Sequence, residues 1–150
     1  MDIEKIRKAS LFDEKEILNC ANISYEMYIG RLGKKPQPML DNYASLIAAG
    51  NVYVTEWNGQ IVGILVLLDF EDYVLLDNVA VIPSYQGKGI GKSLIKYAEN
   101  YAVERGVKEI RLYTNVKMVE NISIYKKLGY IAYDQRCENG YDRIYFRKAL

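Results

Sequence analysis

The sequence predicts an α/β (α+β) protein: a mixed, mostly antiparallel central sheet of six to seven strands, with a parallel βαβ unit at its centre and helices on both faces. Three observations carry this. The apolar period is about 3.6 residues over residues 10–30 and about 2 over residues 52–82, a change from helix to strand. An Asn58-Gly59 step separates two apolar runs, the strongest short-range sign of a β-hairpin. An amphipathic stretch over residues 90–105 lies between two strand-like runs, 73–82 and 107–114, and so makes a crossover joining parallel strands.

The elements follow in order. Ile3 to Arg7 alternate apolar and polar, as a short first strand does, and a helix start is marked at Ser10 or Asp13. Ile17, Cys20, Ala21, Tyr25 and Tyr28 recur at helical spacing, with a stop expected near Gly30. The basic loop from Arg31 to Pro38 holds two prolines and cannot continue a helix, and a short second helix is expected from Met39 to Ala49, closed by Gly50. Val52–Trp57 and Ile61–Leu68 form the hairpin around Asn58-Gly59. Tyr73–Ile82, ended by Pro83, is apolar almost throughout and reads as the central strand, buried on both faces. Ile90, Leu94, Tyr97, Ala98, Tyr101 and Ala102 mark one face of the long helix, which ends at Gly106. A strand over Val107–Thr114, a helix over Val119–Leu128 closed by Gly129, and strands over Tyr130–Gln135 and Arg143–Lys148 around Glu138-Asn139-Gly140 complete the chain. The reading is one domain, 1–150, in three stretches: 1–50, 51–114 and 115–150.

Composition removes several classes of function. The net charge is +1 and half the residues are apolar, so neither disorder nor broad attraction to nucleic acid is favoured. Cys20 and Cys137 lie far apart without a CxxC spacing, which argues against a disulfide framework or a zinc site; two reduced thiols in a cytoplasmic protein are expected. The longest apolar run, Ile61 to Leu68, is far short of the ~20 residues that span a bilayer, so no membrane partner is expected. There is no histidine. Ser-His-Asp and Cys-His nucleophiles, His-ligated zinc and histidine bases are therefore excluded, no metal is expected, and acid or base work falls to Tyr, Asp, Glu, Lys, Cys or held water.

The chemistry-bearing motif is Gln86-Gly87-Lys88-Gly89-Ile90-Gly91-Lys92, where the central strand hands over to the long helix. Glycines let the backbone approach a ligand closely, and a helix start presents free N–H groups and partial positive charge, so the element suits a phosphate. Two familiar phosphate patterns fail here. The Walker A loop needs glycine where Gln86 stands, and the dinucleotide pattern GxGxxG would put its third glycine on Lys92 and belongs after a first strand.

The same residues match the Q/R-x-x-G-x-G/A loop, and the chain resembles the GNAT superfamily of acyl-CoA N-acyltransferases over roughly residues 50–146. Asp77–Ile95 is similar to the most characteristic segment of that family. Glu120-Asn121-Ile122-Ser123-Ile124-Tyr125-Lys126-Lys127-Leu128-Gly129-Tyr130 resembles its second signature. The resemblance implies acetyl-CoA as co-substrate. Its pantetheine arm is expected along Val79, Ala80 and Val81, with the Val79 N–H facing the thioester carbonyl. Its diphosphate is expected on the amides of Gln86, Gly87, Lys88, Gly89, Ile90, Gly91 and Lys92. Tyr125 falls on the tyrosine of the family, and Asn121, one turn earlier on the same helix face, is given the polar cofactor contact because Met118 stands where many members have asparagine.

Acetyl transfer to an amine develops an oxyanion and expels a thiolate, which calls for a fixed donor and an acid. Tyr125, a phenol with a reference pKa of about 10, suits the acid. A base is needed because an alkylamine is mostly protonated at neutral pH; Asp77, Glu56 and Glu71 are the candidates, with Asp77 first. The resemblance implies a small-molecule or protein amine as acceptor, reached directly through a ternary complex. It is expected against the N-terminal helices and final strands, where Tyr25, Tyr28 and Tyr43, with Met39, Tyr133 and Tyr141, are candidate lining residues and Arg31, Lys34 and Lys35 candidate anion contacts. A homodimer is left open. So are a non-catalytic acyl-CoA-binding module and a small nucleotide-binding protein.

Overall fold

Seven strands and five α-helices build the described part of the chain, residues 6–150, in the computed structural model. The first strand, β1, is Arg7–Lys8, so it starts later than expected: Ile6 is not in a strand, and Ile3 to Lys5 of the expected Ile3–Arg7 run lie outside the described residues. Ser10 and Asp13 form a capping box around a 3-10 turn at Leu11–Asp13, and α1 (Glu14–Tyr25) follows. Arg7 donates to both carboxylate oxygens of Asp13, at 2.8 and 3.0 Å, and holds its pKa down at about 2. The helical path does not stop at Gly30. It runs through a 3-10 turn at Glu26–Tyr28 into α2 (Ile29–Leu32) and ends at Gly33, whose φ of 78° is the left-handed terminator that glycine supplies. Met39 belongs to a further 3-10 turn, Gln37–Met39, and α3 (Tyr43–Ala48) starts later than Met39 because Asn42 is its cap, accepting from the Ser45 N–H at 3.1 Å.

Strands β2 (Val52–Trp57) and β3 (Gln60–Asp69) make the expected antiparallel hairpin, and Asn58 and Gly59 both take positive φ, 54° and 77°. Next come β4 (Tyr73–Val81), α4 (Ile90–Arg105), β5 (Glu109–Asn115), α5 (Val119–Lys127), β6 (Ile131–Glu138) and β7 (Tyr141–Ala149). The sheet order is β1-β2-β3-β4-β5-β7-β6. Its parallel pair is β4 with β5, in register from Tyr73↔Glu109 to Leu76↔Leu112; β5 with β7 and β6 with β7 are antiparallel.

The expected burial of β4 on both faces is corrected. That strand alternates, with Val74, Leu76, Asn78 and Ala80 buried and Tyr73, Leu75, Asp77, Val79 and Val81 half-buried. It is β3 that is buried without a break, from Ile61 to Leu67. An apolar run alone does not say how well each face is covered; β4 keeps one face partly open, and Asp77 and Val79 lie on it.

The chain divides into two compact units, Met1–Leu67 with Asn78–Ala98, and Leu68–Asp77 with Glu99–Leu150. The first centres on Ile17, Ile64, Leu65, Ile90 and Leu94, the second on Leu76, Ile110, Leu112 and Phe146. Among the described residues no helix is long and apolar enough to cross a membrane, and no group of His, Cys, Asp and Glu is placed to hold a metal ion.

Candidate active site

In the first unit, β4 leads through Ile82 into a 3-10 turn at Pro83–Tyr85, and the glycine loop then opens α4. Gln86 Nε2 donates back to the Val81 carbonyl at 3.1 Å, which ties the loop to the end of the strand. Gly87 and Gly89 have φ of 80° and 84°, a conformation that costs any other residue about 1–2 kcal/mol. A Cβ placed on either would meet nothing within 4 Å, so bare backbone faces open space there. The first amides of a helix have no intrahelical acceptor, and the earliest such bond here is Ser93 N–H to Gly89 C=O at 3.0 Å. The arrangement is an open glycine loop at a helix start, flanked by the exposed Lys88 and Lys92, and it suits a diphosphate. Gly63 of β3 sets the helix seat: a Cβ there would stand 2.9 Å from Thr55 Cγ2 and 3.0 Å from Leu94 Cδ1, so α4 packs directly on strand backbone.

The end of β4 is anchored from its buried side. Asn78, 3% exposed, donates from Nδ2 to the Tyr43 hydroxyl at 3.1 Å and accepts the Tyr25 hydroxyl at Oδ1. Tyr43 in turn donates to the Pro38 carbonyl at 2.6 Å, and the Tyr25 hydroxyl also stands 3.2 Å from the Val79 carbonyl. Two of the candidate acceptor residues, Tyr25 and Tyr43, are thus buried side chains that hold β4 at Asn78 and Val79. Tyr28 is buried beside Tyr25, with the Arg31 guanidinium 5.1 Å from its ring centroid.

In the second unit, Tyr125 on α5 is 6% exposed, its ring 6.2 Å from Tyr130 and 6.0 Å from Phe146. Asn121 lies one turn earlier and directs Nδ2 to the Met118 sulfur at 3.7 Å, which also receives the Thr114 hydroxyl at 3.5 Å. Met118 is the N-cap position of α5 and is buried, so a thioether occupies that place.

Asp77 receives the Tyr113 hydroxyl at Oδ1, 2.8 Å away. Burial pushes its carboxyl above the ordinary carboxylate range, while the Tyr113 hydrogen bond and the nearby Arg143 charge pull it back. The other carboxylates lack this environment: Glu56 is ion-paired with Arg7, and Glu71 is exposed. Cys20 is buried and its thiol is pushed up to about 11, which disfavours the Cys20 thiolate as acyl carrier. No local sequence signal marks Tyr113, Arg143, Tyr145 and Glu138, which strand register links to Asp77. Asn78 was the legible omission, because a polar side chain inside an apolar strand has to find partners.

A sequence model of the acetyltransferase (GNAT) family matches residues 17–130, most of the chain and both signatures. The chain belongs to the GNAT family. Among curated relatives it is 31% identical over 85 residues to a protein named as an N-acetyltransferase in Methanocaldococcus jannaschii, covering 52% of this chain and 38% of that one. Over 91 residues it is 29% identical to N-acetyltransferase family 8 member 2 of Rattus norvegicus, covering 57% of this chain and 40% of that one. The chain therefore spans less than half the length of these relatives. Solved folds agree along the whole chain. The PaiA N-acetyltransferase of Thermoplasma acidophilum in complex with coenzyme A superposes with a TM-score of 0.80 at 21% identity, covering 100% of both chains. The ribosomal-protein-S18-alanine N-acetyltransferase of Escherichia coli gives 0.76 at 18%, covering 97% and 92%. These two support the fold, the mixed sheet with its parallel pair.

Proposed function

We propose that this chain is an N-acetyltransferase that moves the acetyl group of acetyl-CoA directly to a primary amine of a small molecule or protein within a ternary complex. The observation that carries the reading is the loop from Gln86 to Lys92, where two left-handed glycines with open space above them lead into the first amides of α4. Family membership and the named coenzyme A complex of a structural relative support the choice of coenzyme A over other diphosphates.

Acetyl-CoA supplies a thioester whose carbonyl carbon accepts the amine nitrogen. The amides of residues 86–92 bind the diphosphate, and Val79, Ala80 and Val81 offer strand backbone to the pantetheine arm. The Val79 N–H is assigned as donor to the thioester oxygen, a fixed dipole where negative charge develops. Tyr125 is assigned as the acid that protonates the departing sulfur, and Asn121 as a polar contact to the cofactor. Asp77 is assigned as the base. Freeing a lysine-like amine at pH 7 costs about 4–5 kcal/mol, and a carboxylate whose pKa is raised by burial is a better match to that proton than an ordinary one.

Release of coenzyme A thiol, followed while acetyl-CoA is mixed with a panel of primary amines, tests the reading. Amine-dependent release is expected for at least one amine. Tight coenzyme A binding with no release for any amine would replace the enzyme with an acyl-CoA-binding module.

A further inference from the structure

Asp77 is one end of a connected polar cluster built from β4, β5, β6 and β7, and the other members have no part in the roles assigned so far. Tyr113 on β5 is the hydrogen-bond donor to its Oδ1. Behind the Tyr113 ring stands the Arg143 guanidinium of β7, 4.5 Å from the centroid, with the Tyr141 ring 5.7 Å away. Arg143 donates to Glu138 Oε1 at 3.4 Å, and the Tyr145 hydroxyl donates to the same oxygen. Strand register assembles the group: Tyr113 is opposite Tyr145 with ring centroids 5.3 Å apart, and Asn115 is opposite Arg143.

Arg143 is 9% exposed, so a permanently charged group has been withdrawn from water and placed against ring faces and a carboxylate. If its work were only to pair with Glu138, it would not need to lie on Tyr113. A cation on the face of a phenol polarises the O–H and makes it a stronger donor, and the acceptor of that O–H is Asp77. Among the described residues Tyr113 is the hydrogen-bond donor to Asp77, at Oδ1, and Oδ2 is left for another proton.

We propose that Tyr113 and Arg143 are positioning residues for Asp77: the phenol fixes the carboxylate through Oδ1, Arg143 strengthens that donation from behind the ring, and Glu138 with Tyr145 holds Arg143 in place. This rests on Asp77 being the base of the proposed reaction. The proton leaves the acceptor ammonium for Asp77 Oδ2, giving a neutral amine and a carboxylic acid, and the acid returns the proton to water after transfer. The groups that set this equilibrium are Tyr113 from β5, Arg143 and Tyr145 from β7 and Glu138 from β6. Burial opposes the charge on Asp77, and Tyr113 and Arg143 restrain that opposition.

The experiment compares the wild type with Tyr113→Phe, Arg143→Gln and Arg143→Lys by two readouts: a carbon-13 NMR titration of the Asp77 carboxyl without substrate, and the pH profile of kcat/KM. Tyr113→Phe keeps the ring that packs under Arg143, and it is expected to move both the carboxyl midpoint and the acidic limb of kcat/KM to higher pH, by roughly one unit. Arg143→Gln is expected to move both the same way by less, and Arg143→Lys to restore part of the shift. A carboxyl midpoint that stays put in Tyr113→Phe and Arg143→Gln overturns the proposal. A midpoint that moves while the rate profile does not also overturns it. Asp77→Asn then separates the failures. If it leaves the profile unchanged, the base assignment itself has failed; if it removes the acidic limb, only the roles of Tyr113 and Arg143 have.

Discussion

Asp77 and Asn78 are consecutive on β4 and look to opposite faces of the strand, and their surroundings differ in what they do to charge. Asn78 is neutral and buried, and both ends of its amide are satisfied by tyrosine hydroxyls. That network fixes backbone. Asp77 is half-buried, has one oxygen held by a phenol, and is destabilised as an anion by burial. The same strand thus carries a hydrogen-bonded anchor on one side and a carboxyl with a raised pKa on the other, and burial of a polar group is informative only together with what satisfies it.

Asp77→Asn should have the largest effect, lowering turnover about 10³-fold, a loss expected of a missing general base, while the thermal midpoint holds or rises. A lowered thermal midpoint with intact turnover would give Asp77 the role of an anchor. Tyr125→Phe comes next, with turnover about 10²-fold lower and acetyl-CoA affinity unchanged by calorimetry. It sharpens the contrast because Tyr125 is as buried as Tyr25; equal turnover in mutant and wild type would make it a packing residue. Asn78→Leu should cost about 2 kcal/mol in urea unfolding, because two tyrosine hydroxyls lose a buried partner. Tyr25→Phe removes one hydroxyl of the same network, and about 1 kcal/mol is expected. The smallest effect is in the pH dependence of stability. The folded pKa of Asp77 lies above its unfolded value, so its contribution is fully present below the unfolded pKa and is lost as pH rises through the folded one. Asp77→Asn should remove that fall from the denaturation profile, and an unchanged profile would contradict the raised pKa.

Much of the fold was legible because its signals are local. Asn58-Gly59 places the hairpin, the 90–105 face places α4, and the glycine loop is contiguous. Helix ends were less legible: Gly30 and Gly33 look alike in sequence, and only the second takes the left-handed conformation that ends the path. The cluster around Asp77 was not legible, since Tyr113, Glu138, Arg143 and Tyr145 meet through the pairing of β5 with β7 and β7 with β6, which no local pattern encodes. Gly63 was readable in principle, as a lone glycine in an apolar strand marks a close approach.

Coenzyme A is expected to lay its diphosphate on the amides between Gln86 and Lys92. Calorimetric titration of coenzyme A into the wild type and into Gly89→Val tests it most directly, because a β-branched residue at a φ of 84° is strained and its side chain enters the open space above the loop. One-to-one binding by the wild type, weakened at least ~100-fold by Gly89→Val in a variant that still unfolds cooperatively, is the predicted result. No binding by the wild type, or equal binding by both, would contradict it.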